Sequence, residues 1–413
     1  QAITAEARRL ATLESLDSGK ALHGALSYDL YEAANAFAVA AGLCRDLHGD
    51  VRHTSYPPAL FPVKAPRILT LRLREPVGVV CELLPWNAPL MTGSQRLAAA
   101  LAAGCCVVAK APEEAVISLV ELTRLLHRCG LPPGVLNLLL GRGETVGERL
   151  VADARFDLVS LTGGVATGRR VMEVASRSLT AVHLELGGKA PVIVFDDADL
   201  GQAVRWATMA NFVNAGQVCV AGSRLLVHRS LYDDVVDGVV SECGNFRIGD
   251  ALDEETFIGP LVNSEHARRV RGFVSRALDG GEAQIAGSCE LPAALPDSFV
   301  APTVLGHVRP GSELEQEEVF GPVLAAMPFD TEEEAVAIAN GTRYGLNASV
   351  FTADVERAFR VAERLDCGEV NLNCHFTPNM NAAKGEPRKM SGISPTGIEA
   401  YTTLKGVNLQ IAH

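Results

Sequence analysis

Between residues 77 and 176 the sequence repeats one pattern four times: a short apolar run, then a longer segment with helical spacing. The apolar runs cover residues 77–84, 105–110, 135–140 and 157–161, and the helical segments cover 94–103, 113–129, 144–152 and 168–176. Strands that are apolar on both faces and separated by helices form parallel sheets covered by helices on both sides. Such sheets bind ligands beyond the carboxyl ends of their strands. The sequence therefore predicts an α/β fold on a Rossmann-like parallel sheet, with a site in the loops after these strands.

The first of these loops contains Asn87 in the run Pro-Trp-Asn-Ala-Pro. Its amide could donate a hydrogen bond to a developing oxyanion, which is worth a few kcal/mol of barrier when the donor is preorganised. The other interpretation is a proline-rich turn around a buried tryptophan. The motif favours the functional interpretation.

The next loops carry residues suited to a nucleotide. Glu113 follows the second strand, where an acid can accept hydrogen bonds from ribose hydroxyls, although it could also only stabilise a helix start. Gly141, Arg142 and Gly143 follow the third strand as a weak near match to a dinucleotide fingerprint. The Thr-Gly-Gly run at residues 162–164 follows the fourth strand and opens a helix, so its backbone N–H groups could face a pyrophosphate.

A thiol and a carboxylate form the second feature of the sequence. A helix is predicted from Asp199, and Gly216 is a plausible stop signal, so Cys219 should lie in the loop just past the helix, before a buried strand at 224–228. As a thiolate, Cys219 can attack an electrophilic carbon. Glu185 lies 34 residues upstream, before two glycines, and could activate a water. Taken alone, these residues could equally be an ordinary buried thiol and a surface charge.

Composition excludes other classes of protein. The chain has 413 residues with a net charge of −12 and no large basic patch, which argues against binding nucleic acid. No apolar run is long enough to span a bilayer, so no membrane role is predicted. Ten cysteines without close repeated spacings indicate reduced thiols and a cytoplasmic protein. Neither an H-E-x-x-H nor a C-x-x-C pattern occurs, so no metal site is predicted.

Taken together, the motifs resemble the aldehyde dehydrogenase superfamily from about Ala7 onward. They are the Pro-Trp-Asn run, Glu-Leu-Gly-Gly-Lys at 185–189, Gly-Gln-x-Cys at 216–219 and Glu-Glu-Val-Phe-Gly-Pro at 317–322. The resemblance implies oxidation of an aldehyde to a carboxylic acid with Cys219 as nucleophile, Asn87 and the Cys219 amide as oxyanion donors, and Glu185 as base. It implies NAD as cofactor, with NADP left open because of Lys110. It assigns the cofactor contacts to Leu84, Pro85, Trp86, Lys110, Glu113, Thr162, Gly163, Gly164, Gly187, Glu318 and Phe320.

The resemblance also implies three units and an oligomer. We expect a nucleotide-binding domain at 1–52 and 76–187, an α/β catalytic domain at 188–402, and a small β oligomerisation element at 53–75 and 403–413, joined through a proline-rich linker at 57–66. A homodimer or homotetramer is expected. Family members usually carry several dozen further residues before the first helix.

One loop departs from the family pattern and leaves alternatives open. Residues 384–392 keep only the Lys389 and Ser391-Gly392 end of a family loop, with Gly385 where an aromatic residue normally lines the substrate tunnel. An impaired or structural protein on the same fold is therefore one alternative. Acyl transfer to coenzyme A is another, although Glu185 favours hydrolysis. The aldehyde is left open, and His375-Phe376 only faintly suggests aminoaldehydes.

Overall fold

The computed structural model describes residues 1–55, 67–293, 295–376, 385–395 and 397–411; the proline-rich linker and Lys384 lie outside these ranges. The strands are β1 (Asp50–Ser55), β2 (Arg67–Pro76), β3 (Val79–Leu83), β4 (Cys106–Lys110), β5 (Leu136–Leu139), β6 (Leu158–Thr162), β7 (Ala181–Glu185), β8 (Pro191–Val194), β9 (Arg224–His228), β10 (Gln284–Ser288), β11 (Thr303–Gly306), β12 (Val323–Phe329), β13 (Tyr344–Gly345), β14 (Asn347–Phe351), β15 (Glu369–Leu372), β16 (Arg388–Lys389), β17 (Gly392–Ile393) and β18 (Thr402–Ile411). The helices are α1 (Ala2–Ala5), α2 (Ala7–Ser18), α3 (Leu22–Gly24), α4 (Leu30–Leu43), α5 (Pro89–Ala102), α6 (Ile117–Arg128), α7 (Glu148–Val151), α8 (Val165–Ala175), α9 (Leu200–Phe212), α10 (Tyr232–Gly244), α11 (Ser264–Asp279), α12 (Glu313–Gln316), α13 (Glu332–Asn340) and α14 (Val355–Arg364).

The repeated strand–helix pattern forms a six-stranded sheet in the order β17-β7-β6-β3-β4-β5. The strands β3 to β7 run parallel, and β17 adds antiparallel to β7 at one edge. Alternate residues of β3 enter different cores: Val80 packs with the residues of α2, α5 and α6, whereas Cys81 and Leu83 pack with those of α8. The predicted parallel sheet, covered by helices on both faces, is confirmed.

A second sheet has seven strands in the order β10-β11-β12-β9-β8-β14-β15, all parallel except β10. Its central strands β8 and β9 are buried, the latter as the predicted strand at 224–228 requires, whereas the edge strand β10 is largely exposed. The helix α9 begins where the sequence places it, because the Asp199 carboxylate accepts a hydrogen bond from the Gln202 N–H at 2.7 Å. This cap fixes the start of the helix that leads to Cys219.

A third, three-stranded antiparallel sheet has the order β1-β2-β18. Its register places Val51 opposite Leu71 and Leu71 opposite Val407, so these apolar residues form a row across one face. Val51 and Val407 are exposed. The last strand, β18, pairs along β2, as expected for two segments assigned to one β element, while the boundaries of the three units stay predictions.

Several predicted helix boundaries are wrong. The spacing of apolar residues from Glu6 to about Ala25 predicts a single helix, but α2 ends at Ser18, because Gly19 has a φ of +78°, and is followed by α3 and a π-helical turn at Ala25–Asp29. Lys20 follows this glycine and is buried, with its Nζ atom 3.3 Å from Glu14 Oε1 and 2.7 Å from Asp29 Oδ2. The segment predicted at 94–103 begins earlier, at Pro89. The segment at 144–152 is a π-helical turn followed by α7, and α6 begins only at Ile117.

Within the described residues, every helix is too short or too polar to cross a membrane.

Candidate active site

A cavity of about 1880 Å³ lies between the two large sheets. The strands β3, β4, β6 and β7 are parallel, so the loops that follow them meet at one edge of their sheet. All predicted catalytic and cofactor-binding residues line this cavity: Leu84, Pro85, Trp86, Asn87, Lys110, Glu113, Thr162, Gly163, Gly164, Glu185, Gly187, Cys219, Glu318 and Phe320. The structure therefore brings together residues that are up to 236 positions apart, from Leu84 to Phe320.

The cysteine loop has an unusual backbone after the end of α9. Asn214 and Ala215 both have a φ of 52°, and Gly216 has a φ of +73°. A Cβ on Gly216 would lie 2.1 Å from the carbonyl oxygen of Gly321, so only glycine fits this approach. Cys219 follows as a partly exposed thiol in the cavity wall. The predicted place of Cys219, in a loop just past the helix, is confirmed.

Gln217 holds this loop from the side. Its Oε1 accepts a hydrogen bond from the Val262 N–H at 3.0 Å, and its Nε2 donates to the Asn214 carbonyl at 3.2 Å. The Gln217 side chain is buried, so water does not compete strongly for these bonds. The glutamine of the Gly-Gln-x-Cys motif is thus a support for the cysteine loop.

Asn87 is bound to the same loop. The Asn87 Nδ2 atom donates a hydrogen bond to the backbone carbonyl of Gln217 at 2.9 Å. The backbone carbonyl of Asn87 accepts a hydrogen bond from Asn214 Nδ2 at 3.1 Å. An amide nitrogen carries two hydrogens, so one remains for a substrate oxygen. The bond to Gln217, which precedes Cys219 by two positions, therefore holds Asn87 in the cavity wall beside the cysteine loop.

Glu185 ends β7, and the glycines after it bring its motif against the cysteine loop. A Cβ on Gly188 would lie 2.3 Å from the Cys219 carbonyl oxygen, which leaves no room for a larger residue. The backbone of Glu185 pairs with Gly392 of β17, and its carbonyl accepts from the Gly163 N–H at 3.0 Å. Its carboxylate faces Arg96, with Oε1 at 3.5 Å from Nη2. The thiol and the carboxylate thus share one cavity.

Some of the backbone N–H groups in the glycine turn after β6 already donate hydrogen bonds within the protein. The Gly163 N–H bonds to Glu185, so it is not available to a phosphate as the sequence led us to expect. Gly164 immediately precedes α8, and no side chain of the described residues caps this helix. The first turn of α8 lines the cavity through Ala166 and Thr167. The Thr162 Oγ1 atom is buried and has no hydrogen-bond partner among the described residues. An anion at this helix start would meet unsatisfied donors.

At the far end of the cavity, Glu113 does not cap α6, which begins four residues later. Its Oε1 instead accepts a hydrogen bond from the Gly143 N–H at 2.6 Å. Lys110 lies beside it and donates from Nζ to the Ala111 carbonyl at 2.8 Å. Burial lowers the pKa of Lys110, and the charge of Glu113 opposes that shift. Glu113 therefore binds the main chain of the loop after β5 rather than the start of α6.

Glu318 and Phe320 lie beside the glycines of the Glu185 motif. The Glu318 Oε1 accepts from the Gly188 N–H at 2.9 Å, and a Cβ on Gly187 would lie 2.2 Å from the same carboxylate. Burial raises the pKa of Glu318 to about 7. Phe320 has a φ of 58° and packs edge-on against Trp86, with 5.4 Å between the ring centroids. The two residues form one wall of the cavity.

Two further residues of this wall, His266 and Arg269 on α11, have no role in the sequence analysis. Arg269 donates from Nη1 to the Val319 carbonyl and from Nη2 to the Glu318 carbonyl, both at 2.8 Å. The His266 Nε2 donates to the Phe320 carbonyl at 2.7 Å. Both line the cavity. The positive φ of Phe320 is therefore held by three side-chain-to-carbonyl bonds.

Aromatic and acidic side chains also line the cavity. Tyr28, Trp206 and Phe376 contribute rings, and Glu369 contributes a carboxylate. Burial raises the pKa of Tyr28, and the charges of Glu32, Asp29, Cys219 and Glu369 add to the effect. The Tyr28 hydroxyl thus lies within electrostatic reach of both the thiol and Glu369.

Gly385 also lines the cavity, at the position where the sequence departs from its family. A Cβ there would lie 1.5 Å from the Gly368 carbonyl oxygen, so the backbone conformation leaves no space for an aromatic side chain. Ser391 keeps a structural role, because its Oγ accepts from the Gly345 N–H at 2.9 Å and its carbonyl accepts from the Leu186 N–H at 2.9 Å.

No group of three or more histidine, cysteine, aspartate or glutamate residues in the described part of the chain could hold a metal ion.

Comparisons with known proteins place the chain in one family. Residues 1–407 match the model of the aldehyde dehydrogenase family. The betaine aldehyde dehydrogenase of Bacillus subtilis is 38% identical over 411 residues, which is 98% of this chain and 82% of the relative. The peroxisomal aminoaldehyde dehydrogenase 1 of Pisum sativum is 37% identical over 96% of this chain and 78% of its own length.

Solved structures give the same result. The NAD-dependent aldehyde dehydrogenase of Sinorhizobium meliloti has a TM-score of 0.93 at 35% identity, covering 100% of this chain and 80% of that one. The betaine aldehyde dehydrogenase of Staphylococcus aureus, solved in complex with NAD+, has a TM-score of 0.92 at 36% identity, covering 99% and 80%.

Proposed function

The chain belongs to the aldehyde dehydrogenase family, and we propose that it oxidises an aldehyde to a carboxylic acid with NAD as hydride acceptor. The observation that carries this proposal is the shared cavity of Cys219, Glu185 and Asn87. The close approach of Gly188 to the Cys219 carbonyl holds the nucleophile and base motifs together. Packing alone does not require a thiol, a carboxylate and an amide to face one cavity.

The residues present fit a dinucleotide. The start of α8 and the Thr162 hydroxyl, which have no side-chain cap and no hydrogen-bond partner among the described residues, would hold the pyrophosphate. Glu113 would accept hydrogen bonds from the adenosine ribose. Glu318 would bind the second ribose, and Phe320 would pack against the nicotinamide. When bound, NAD supplies the acceptor for the hydride.

The protein's own groups account for the remaining steps. The Cys219 thiolate adds to the aldehyde carbon, and the oxygen that becomes negative accepts hydrogen bonds from Asn87 Nδ2 and the Cys219 backbone N–H. Once the hydride has left, the acyl group stays on Cys219 as a thioester. Glu185 then takes a proton from the water that hydrolyses it, and the carboxylic acid is released. A carboxylate at this place favours water over coenzyme A as the acyl acceptor.

Two substitutions test the mechanism. Cys219→Ala should abolish NADH formation, because the nucleophile is lost. NAD should still bind, because its proposed contacts are made by other residues of the cavity. Glu185→Gln should release about one equivalent of NADH in a burst and then stall at the thioester. The exposed Cys129 and Glu333 provide matched controls, Cys129→Ala and Glu333→Gln, which should behave like the wild type.

Full activity in Cys219→Ala would require another nucleophile, and undiminished steady turnover in Glu185→Gln would reject Glu185 as the base. A burst trapped as a thioester can be identified by mass spectrometry of the intact protein. A wild-type protein that forms no NADH from any aldehyde would support the structural or impaired alternative.

For the substrate, we propose an aldehyde with an amino or quaternary ammonium group. Tyr28, Trp206 and Phe376 can surround a cation, and Glu369 can balance its charge. Relatives named as betaine aldehyde and aminoaldehyde dehydrogenases support this substrate class. Because Gly385 stands where relatives carry an aromatic residue, the aromatic side chains of this part of the cavity would be those of Tyr28, Trp206 and Phe376.

A charged and a neutral substrate of the same shape test this proposal. Betaine aldehyde and 3,3-dimethylbutanal differ only in the quaternary nitrogen, so the ratio of their kcat/KM values isolates the charge. We expect a preference for betaine aldehyde of roughly fivefold to thirtyfold, since a desolvated cation–π contact contributes roughly 1–2 kcal/mol. Glu369→Gln should reduce that ratio. Equal kcat/KM values for the two aldehydes would reject a cationic substrate.

We also propose that the three-stranded sheet joins copies of the chain. Its exposed apolar row on β1, β2 and β18 would be buried by a second copy, and it lies away from the cavity.

A further inference from the structure

The thiol lies on a tight turn of the main chain. The Ala221 N–H donates to the Val218 carbonyl at 3.0 Å, so Cys219 and Val220 are the two central residues of a β-turn. The N–H that closes this turn belongs to the same planar peptide as the Val220 carbonyl, and the two groups point in opposite directions. Whatever holds the Val220 carbonyl therefore also fixes the turn that presents the sulfur.

An imidazole holds that carbonyl. The His375 Nε2 atom donates to the Val220 carbonyl at 2.9 Å. A carbonyl oxygen can only accept, so Nε2 carries the proton and Nδ1 of the neutral ring is an acceptor. This Nδ1 atom accepts a hydrogen bond from the Ser349 hydroxyl at 2.6 Å. Both ring nitrogens are thus bonded, which fixes the tautomer and the orientation of the ring.

The surroundings of this ring keep it neutral and in place. His375 and Ser349 are 1% and 0% exposed. Burial lowers the pKa of His375 to about 4, although the bond to the Val220 carbonyl opposes this shift, so the ring is uncharged near pH 7. Ser349 lies in the buried strand β14 and pairs with Val192 of β8. A core strand therefore holds the imidazole, and the imidazole holds the cysteine turn.

The main chain on both sides of His375 is sharply bent. Asn373 and Phe376 have φ values of 54° and 53°. The Asn373 Nδ2 atom donates to the Thr352 carbonyl at 3.0 Å, and its Oδ1 accepts from the Thr352 N–H at 3.0 Å. Phe376 lines the cavity, and its ring packs edge-on against His375 with 4.4 Å between the centroids. One buried segment therefore connects the substrate wall to the cysteine turn.

We propose that His375 is the positioning residue of the nucleophile: through the Val220 carbonyl it holds the turn that aims the Cys219 sulfur at the aldehyde. The inference rests on the proposed function. His375 acts through the main chain and need not touch the substrate. It neither gives nor takes a proton during the reaction, since both of its ring nitrogens are bonded within the protein.

Two amide side chains separate the two bonds of the ring. A glutamine amide reaches about as far as Nε2 and can still donate to the Val220 carbonyl, whereas an asparagine amide reaches only about as far as Nδ1. His375→Asn should therefore release the turn and slow thioester formation by about tenfold to hundredfold, as a nucleophile displaced by up to about 1 Å does. His375→Gln should return most of that rate. His48→Asn, at a side chain that is 78% exposed, is the matched control.

The experiment mixes an excess of protein and saturating NAD with limiting betaine aldehyde, or with propanal as a second probe, and follows NADH through a single turnover. Two further measurements are the Kd for NAD and the fraction of Cys219 that iodoacetamide alkylates, determined by mass spectrometry of its peptide. In His375→Asn both should match the wild type while the single-turnover rate falls. A general loss of structure would change all three.

Three results would overturn the inference: an unchanged single-turnover rate in His375→Asn, a rate in His375→Gln no higher than in His375→Asn, or NAD binding lost in step with the rate. If His375→Asn does not fold, His375→Gln decides alone, because a rate near that of the wild type supports the inference and a rate lower by about tenfold or more rejects it. A wild-type protein that forms no NADH from any aldehyde would overturn the proposed function itself, whereas normal wild-type turnover with unaffected variants removes only the role of His375.

Discussion

The contact between Gly188 and the cysteine loop allows a test of the site that changes no catalytic side chain. In Gly188→Ala the new Cβ would lie 2.3 Å from the Cys219 carbonyl oxygen, whereas ordinary contacts begin at 3.4 Å. The loop must therefore move by about 1 Å, and a displacement of this size can cost about 10²-fold in rate. That corresponds to about 2.7 kcal/mol of barrier.

The assay compares kcat/KM for aldehyde oxidation in the wild type, Gly188→Ala and the control Gly244→Ala, whose new Cβ would meet nothing within 4 Å. Thermal unfolding by circular dichroism checks that each protein is folded. The burst should slow along with the steady rate, since the displaced group is the nucleophile. If Gly188→Ala is folded and as active as the control, the two motifs do not have to approach so closely, and the reasoning fails.

Four further outcomes follow from the structure. Asn87→Ala should lower kcat by about 10²–10³-fold, as loss of an oxyanion donor does, while alkylation of the catalytic thiol by iodoacetamide continues. Glu113→Gln should reduce the ratio of kcat/KM for NAD over NADP, because the carboxylate that repels a 2′-phosphate is gone; an unchanged ratio would reject its contact with the ribose. Burial lowers the pKa of Lys189 to about 7, so the unfolded chain binds a proton that the folded one releases, and wild-type thermal stability should rise from about pH 7 to about pH 9. Lys189→Met should lose this rise, and a parallel pH dependence in both proteins would contradict the shift. Val407→Asp should weaken self-association in light scattering, whereas Gln410→Asp, on the opposite face of β18, should not.

Much of the fold could be predicted because strands buried on both faces of a parallel sheet appear in the sequence as continuous apolar runs. The strands β3, β4, β5 and β6 each lie inside a predicted apolar run or within one residue of it. The strand β17 leaves no such record, since two residues, Gly392 and Ile393, are too few to show a pattern. The end of α2 was also missed, although Gly19, with a φ of +78°, is a glycine of the kind that ends helices.

The candidate site was predictable where chemistry needs a particular side chain. Cys219, Glu185 and Asn87 must be a thiol, an acid and an amide, so their identities stand out within short motifs. Arg96 was not found in this way. It follows the Asn87 motif by nine positions on the apolar face of α5, and only the folded chain brings it to the carboxylate.

The support of Phe320 explains why such residues escape motif analysis. Phe320 can keep a φ of 58° only if its turn is held, and Arg269 and His266 hold it through the carbonyl oxygens of Glu318, Val319 and Phe320. Every residue has a carbonyl, so the accepting positions impose no residue type, and the donors lie about fifty positions away on another helix. A motif therefore records the groups that face the substrate and cofactor, whereas the groups that fix the main chain behind them appear only when the chain has folded.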